Sequence, residues 1–208
     1  VGGRGYIEKD RGTSFPESWI WMQSNHFEEE GCSLTLSVAI IPWLNRFFTG
    51  FIVGFLYKGR LYRFCTYNRS NITDFSTASV EGTDGRKTTL SPDNPTGEDG
   101  IQSLLCPESR TDGNDGTQRV SLSFENKKHK LEVSGVKISG ADLKAPIQGM
   151  MQGHVNESLN STVAVRLLKK DRSGYSTLFE GTGRYAGVEM HGNLEKLRTL
   201  HRPKSSNN

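Results

Sequence analysis

Two carboxylates near the N terminus are the first side chains in this sequence whose types and spacing could do chemistry. Glu8 and Asp10 are separated only by Lys9. In an extended segment both acids lie on one face while Lys9 points the other way. Because two neighbouring carboxyl groups resist ionising together, one of them could remain protonated near neutral pH and act as a proton donor. The other interpretation is a surface turn in which these charges are solvated.

Further acids lie toward the C terminus. Glu189 shares strand parity with Tyr185 and His191, which indicates either a buried, hydrogen-bonded acid or a structural partner for an arginine such as Arg184 or Arg166. We rank it as the second candidate acid, after Glu8.

The segment 18–27 alternates aromatic and amide side chains. At a period of two residues, one face carries Trp19, Trp21, Gln23, Asn25 and Phe27, and the other carries Ile20, Met22, Ser24 and His26. The first face suits a cavity wall that binds an apolar body with a polar end. An ordinary sandwich strand with hydrogen-bonded amides would give the same pattern, so both interpretations stay open.

Composition and spacing argue against several classes of site. A net charge of +3 with 24% charged residues does not require a polyanionic partner, and the basic run 127–130 lacks interleaved aromatics, so we expect no nucleic-acid binding. The histidines show no ligand spacing, so we expect no metal. The glycines at 181–187 lack the context of a phosphate loop and indicate bulges or a tight turn. Cys32, Cys65 and Cys106 are expected to be unpaired.

Short period-two segments predict an all-β chain with antiparallel strands. They lie at 18–27, 33–41, 49–57, 60–67, 119–125, 131–138, 162–168, 175–180 and 184–190. Lys58-Gly59 is a two-residue hairpin turn, and only 194–201 has a helical pattern. Residues 91–100 and 108–116 are predicted loops. The pattern indicates a β-barrel or a strongly curved sandwich.

Residues 6–27 resemble the signature of the tocopherol cyclase family. The matching positions are Tyr6, Glu8, Lys9, Asp10, Gly12, Phe15, Pro16, Trp19, Trp21, Gln23, Asn25 and Phe27. Arg11 departs from the signature, because the family usually has Trp there. The resemblance continues through residues 51–57, 62–64, 143–146, 156–159 and 179–189.

The resemblance implies a lipocalin-like barrel and a cyclase of vitamin E biosynthesis. Such an intramolecular lyase or isomerase turns a prenylated hydroquinone into a chromanol and needs neither redox cofactor nor metal. The resemblance implies Glu8, Asp10 or Glu189 as the acid. It implies Trp19, Trp21 and Phe27 as the aromatic wall, and Gln23 and Asn25 as partners of the quinol hydroxyls. The rival hypothesis is a non-catalytic module that binds a prenylquinone or another lipid.

The resemblance also predicts organisation and location. Residues 1–202 are expected to form a single β module, the C-terminal one of a longer two-module protein, with a disordered tail at 203–208. The expected partners are a hydrophobic small molecule or lipid, the N-terminal module, and a membrane or lipid-droplet surface contacted peripherally. We expect an intracellular location, in a plastid or lipid-associated if the source is photosynthetic.

Overall fold

The computed structural model describes residues 5–9, 14–80, 117–138, 140–147 and 150–200. Within these ranges the chain forms ten strands and one short helix. The strands are β1 (Trp19–Ser24), β2 (Ser33–Trp43), β3 (Arg46–Tyr57), β4 (Arg60–Cys65), β5 (Asn71–Val80), β6 (Thr117–Glu125), β7 (His129–Lys137), β8 (Ala141–Ile147), β9 (Met150–Asp171) and β10 (Gly174–His191). The helix α1 spans Leu194–Thr199. The predicted all-β class and the weak C-terminal helix are confirmed.

The strands form one antiparallel sheet in the order β4-β3-β2-β1-β10-β9-β7-β6-β5, with β8 also paired to β9. Five strands separate β3 from β6 in this order, yet the rings of Phe51 on β3 and Phe124 on β6 have centroids only 5.3 Å apart. The sheet must therefore curve strongly. In the described residues β4 and β5 are the two ends of the order. Of the two predicted architectures, a β-barrel and a strongly curved sandwich, this open and curved sheet is consistent with the second.

The concave face of the sheet is filled by a hydrophobic core. Phe55, Phe64 and Phe124 are fully buried there, and they belong to one cluster that draws on nine of the ten strands. Interiors packed in this way leave little room for a ligand. This packing therefore argues against a ligand site inside the curved sheet, which is where a lipocalin would have one.

Local predictions agree with the strands at several points. Lys58 and Gly59 have φ of 49° and 70° between the paired residues Tyr57 and Arg60, as a two-residue hairpin turn requires. Cys32 and Cys65 are free, as predicted, and both are buried.

The two predicted strands 175–180 and 184–190 are one strand, β10, interrupted by register shifts at Thr177/Phe179, Gly183/Ala186 and Ala186/Val188. The glycine-rich segment 181–187 is thus a bulged part of a strand. Cys106, the loops 91–100 and 108–116, and the tail 203–208 lie outside the described residues.

A second, smaller cluster lies on the convex face of the sheet. β9 is 22 residues long, and its first half pairs with β8 to form an arm. Ala145 and Val155 of this arm pack with Trp19 and Ala39 on β1 and β2. The backbone N–H of Phe15 donates to the carbonyl of Pro146 over 2.8 Å, which ties the N-terminal segment to the arm. The arm therefore covers the outer surface of β1 and β2.

Candidate active site

Strand β1 places its two faces in two different environments. Ile20 and Met22 are buried in the main core, whereas Trp19 and Trp21 belong to the cluster beneath the arm. This alternation follows from the period of two residues in a strand, and the predicted separation of the two faces is confirmed for these positions. The indoles therefore lie on the convex face of the sheet, away from its packed interior.

A cavity of about 670 Å³ opens between this face, the N-terminal segment and the arm. Its walls include four residues predicted from the sequence, namely Glu8, Trp19, Trp21 and Glu189. Volumes of roughly 300–1,000 Å³ are typical of small-molecule sites. The lining combines aromatic and aliphatic side chains with three carboxylates, which is the composition of a pocket for an apolar molecule with a polar end.

Two further cavity residues, Tyr6 and Phe15, were not assigned a role from the sequence, whereas Glu157 was an alternative acid in a segment that matches the family. Tyr6, Phe15 and Glu157 line the same space. The Phe15 ring stacks on Trp19 with centroids 5.5 Å apart, and Tyr6 lies 6.1 Å from Trp21. Tyr6 and Phe15 belong to the N-terminal signature, so that motif could have identified them as site residues. Glu157 lies in a matching segment, but only the register of β9 with β10 brings it opposite Glu189.

Glu8 is exposed and is held by two donors. Its Oε2 accepts a hydrogen bond from the Trp21 indole Nε1 over 3.1 Å and another from the Tyr6 hydroxyl. Tyr6 also shares a 3.1 Å hydrogen bond with the Thr35 hydroxyl. Both donors address the same carboxylate oxygen, so Glu8 orients two aromatic rings of the cavity wall.

Glu189 occupies the more enclosed position on β10. The pKa of its carboxyl is raised from 4.5 to about 7; burial is the largest cause, and the neighbouring Glu157 and Glu8 act in the same direction. The Trp19 side chain, which hydrogen-bonds Glu189, and the Lys137 ammonium act in the opposite direction. An acid with a pKa near 7 is protonated in a large fraction of molecules at neutral pH and can give up that proton readily.

Lys137 and His191 complete the surroundings of Glu189. Lys137 is buried, and its Nζ donates to the Asn156 carbonyl over 2.7 Å. Burial lowers the pKa of the Lys137 ammonium. Burial and the Lys137 charge lower the pKa of His191, whose ring stacks on Trp19 at 4.4 Å. His191 is therefore neutral at neutral pH where it stacks on the Trp19 indole.

Two of the predicted substrate-binding residues, Gln23 and Asn25, lie outside the cavity. Gln23 is buried, and its Nε2 has no hydrogen-bond partner among the described residues. Asn25 donates from Nδ2 to the Gly5 carbonyl over 2.8 Å, which anchors the N-terminal segment. Neither lines the cavity described above. Asp10 and Arg11 lie outside the described residues.

Phe27 departs from the predicted face. Its ring packs at 5.8 Å against both Phe55 and Phe179 in the main core. The reason is that β1 ends at Ser24, so the alternation does not continue to residue 27. Phe27 belongs to the core rather than to the cavity wall.

The arrangement can protonate a bound molecule and shelter the cation that results. Glu189 supplies an acid, and the indole and phenyl faces supply electron-rich surfaces that attract positive charge. The described residues contain no group of three or more histidine, cysteine or acidic side chains arranged to hold a metal. No helix in the described ranges is long and apolar enough to cross a membrane.

Comparison with known proteins agrees with the resemblance seen in the sequence. A family model described as tocopherol cyclase-like matches residues 3–91, a segment that contains Glu8, Trp19 and Trp21 but ends before Glu157 and Glu189. No curated protein and no solved structure matches the chain. Residues 3–91, which include the N-terminal wall of the cavity and strands β1 to β5, are therefore similar to tocopherol cyclase-like proteins.

Proposed function

We propose that the cavity binds a prenylated hydroquinone and closes its chromanol ring. The family match supports the substrate class, because it covers the N-terminal segment and the two indoles. The observation that carries the proposal is Glu189, a partly buried acid with a pKa of about 7 on the wall of an aromatic cavity. The carboxyl group of a solvent-exposed glutamate, with a pKa of about 4.3, is almost fully ionised at neutral pH and is a poor proton donor.

The reaction balances without an oxidant or a metal. The Glu189 carboxyl gives its proton to the less substituted carbon of the prenyl double bond, which leaves a tertiary cation and a carboxylate. The phenol oxygen then forms a bond to the cationic carbon and loses its proton. Return of that proton to Glu189 restores the acid, so the substrate is isomerised and the protein is unchanged.

The side chains that line the cavity suit each step of this reaction. The faces of Trp19 and Trp21, with Phe15 stacked beside them, stabilise the cation by cation–π attraction. Exclusion of water by the apolar walls keeps a hydroxide or water molecule from capturing the cation before the phenol oxygen does. Glu8 and Glu157 fit the quinol hydroxyls, since carboxyl oxygens accept hydrogen bonds from hydroxyl groups. They take the role that the sequence suggested for Gln23 and Asn25.

A second candidate is a module that binds a prenylquinone or another lipid without converting it. Arg11 favours this alternative, because it replaces the Trp that is usual in the family at a position beside the candidate acids. The apolar part of the cavity would hold such a ligand whether or not Glu189 reacts.

Incubation with a prenylated hydroquinone separates these functions. We expect chromanol to form and the rate to fall about 100-fold or more in Glu189→Gln, because the amide keeps the shape but has no acidic proton. Glu180→Gln is the matched control, because Glu180 lies on the same strand but pairs with Arg166 over 3.0 Å.

Saturable binding without any chromanol in the unaltered protein would select the binding module. Full activity in Glu189→Gln would remove Glu189 from the mechanism. The prediction from the sequence that Glu8 is the donor would then be tested by Glu8→Gln.

A further inference from the structure

The hairpin that joins β2 to β3 ends in an exposed apolar tip. Trp43, Leu44 and Phe47 are 65%, 82% and 52% exposed, respectively. Single exposed apolar residues are ordinary, but contiguous large ones mark interaction surfaces. We call residues 41–48 the hairpin tip.

The hairpin tip is a well-defined ribbon that projects from the sheet. Leu44 and Asn45 have φ of 45° and 60° between the paired residues Trp43 and Arg46, the geometry of a tight type I′ turn. Pairing of β1 with β2 reaches only Ala39, and pairing of β4 with β3 reaches only Ile52. The tip therefore extends beyond both neighbouring strands.

The charge of the hairpin tip is complementary to an anionic surface. The hairpin tip contains Arg46 and no acidic residue. On α1, the Lys196 ammonium lies 5.5 Å from the centre of the Phe47 ring, where it also binds Glu17 over 2.7 Å. One cation thus lies beside the exposed Phe47 ring, and Arg46 in the turn supplies a second.

The apolar surface of the tip is continuous with the candidate active site. Ala39 and Ile41 line the cavity, and Trp43 has the same parity on β2, so it lies on the same face. A path of apolar side chains therefore runs along one strand from the cavity to the exposed tip.

We propose that the hairpin tip inserts into the headgroup region of an anionic phospholipid bilayer. Trp43 supplies the amphipathic ring that favours this region, Leu44 and Phe47 enter the upper acyl layer, and Arg46 extends to the phosphates. Insertion is shallow, because the outer backbone edges of the tip have no strand neighbour among the described residues and must keep water as a partner. This docking does not depend on the proposed cyclisation.

Vesicle flotation with the full 208-residue chain tests the proposal. Phosphatidylcholine vesicles with about one third phosphatidylglycerol should float the protein, and pure phosphatidylcholine should bind it several-fold more weakly, as expected for one or two cations. Leu44→Asp should weaken binding about 10-fold or more. Aspartate tolerates the left-handed backbone at this position, so the turn is preserved.

A matched control and a position-specific readout complete the test. Leu61→Asp alters an equally hydrophobic residue, 54% exposed, at the opposite end of the β3–β4 pair, and should bind vesicles as the unaltered chain does. Brominated lipids should quench the fluorescence of the unaltered protein, and Trp43→Phe should float normally but lose most of that quenching.

Three results would overturn the proposal. One is failure of the unaltered protein to float with anionic vesicles. Another is equal loss of binding in the Leu61→Asp and Leu44→Asp variants. The third is a dimer that forms without lipid and is broken by Leu44→Asp, which would make a second copy the occupant of the tip.

Discussion

The pKa of Glu189 makes a prediction about stability that needs no substrate. In the folded chain its carboxyl has a pKa of about 7, against 4.5 for an unperturbed glutamate. The folded state therefore binds more protons than the unfolded state between these values, so the contribution of Glu189 to stability falls as the pH rises from about 4.5 to about 7. Above that range the full penalty for an ionised, partly buried carboxylate is present.

The size of the penalty follows from the same difference. One pKa unit corresponds to about 1.4 kcal/mol, so the shift amounts to about 3 kcal/mol before screening. Glu189 keeps some contact with solvent through the open side of the cavity, and screening reduces the effect to about 1–2 kcal/mol. Glu189→Gln removes the charge and should stabilise the fold by that amount above neutral pH.

Urea unfolding of both proteins at about pH 5 and about pH 8 measures this difference. The two free energies of unfolding should nearly coincide at the lower pH, because a protonated glutamate and a glutamine are similar in shape and polarity. At the higher pH the Gln variant should be the more stable. The control Glu180→Gln should show no gain, since it breaks the ion pair with Arg166.

The reasoning would be refuted if Glu189→Gln were equally stable or less stable than the unaltered protein at about pH 8. Such a result would mean that Lys137 and the Trp19 hydrogen bond outweigh burial at this position. It would also remove the physical basis for Glu189 as the proton donor.

Two further predictions concern the packing on either face of the sheet. Gly187→Ala should displace Trp21, because the new Cβ would lie 2.6 Å from Cζ3 of that indole. The affinity for a prenylquinol, measured by saturable quenching of tryptophan fluorescence, should fall about 10-fold. Unchanged affinity would show that the position of Trp21 does not matter for binding. Phe124→Ala should cost about 3–5 kcal/mol in calorimetry or urea unfolding, since the ring is fully buried against Phe51. A loss below about 1 kcal/mol would contradict a solid core on the concave face.

Local patterns in the sequence were sufficient to predict much of the fold. The alternation in β1 predicts that Trp19 and Trp21 lie opposite Ile20 and Met22, because strand geometry puts successive side chains on opposite faces whatever the sheet around them. Lys58-Gly59 predicts its hairpin because the turn depends only on backbone conformations that Gly adopts easily. These are short-range effects, and they hold without knowledge of the tertiary structure.

Only the tertiary structure decided which face is the interior and which acid is enclosed. The alternation gives two faces but does not say that the indoles lie on the convex one, and Phe27 shows where the pattern ends with the strand. Glu189 resembles any glutamate on a strand until the register of β9 and β10 places Glu157 opposite it and the arm covers the neighbouring indoles. Desolvation and charge are properties of everything that surrounds a group in space. That is why the proton-holding acid of this cavity depends on segments more than 100 residues away from its aromatic wall.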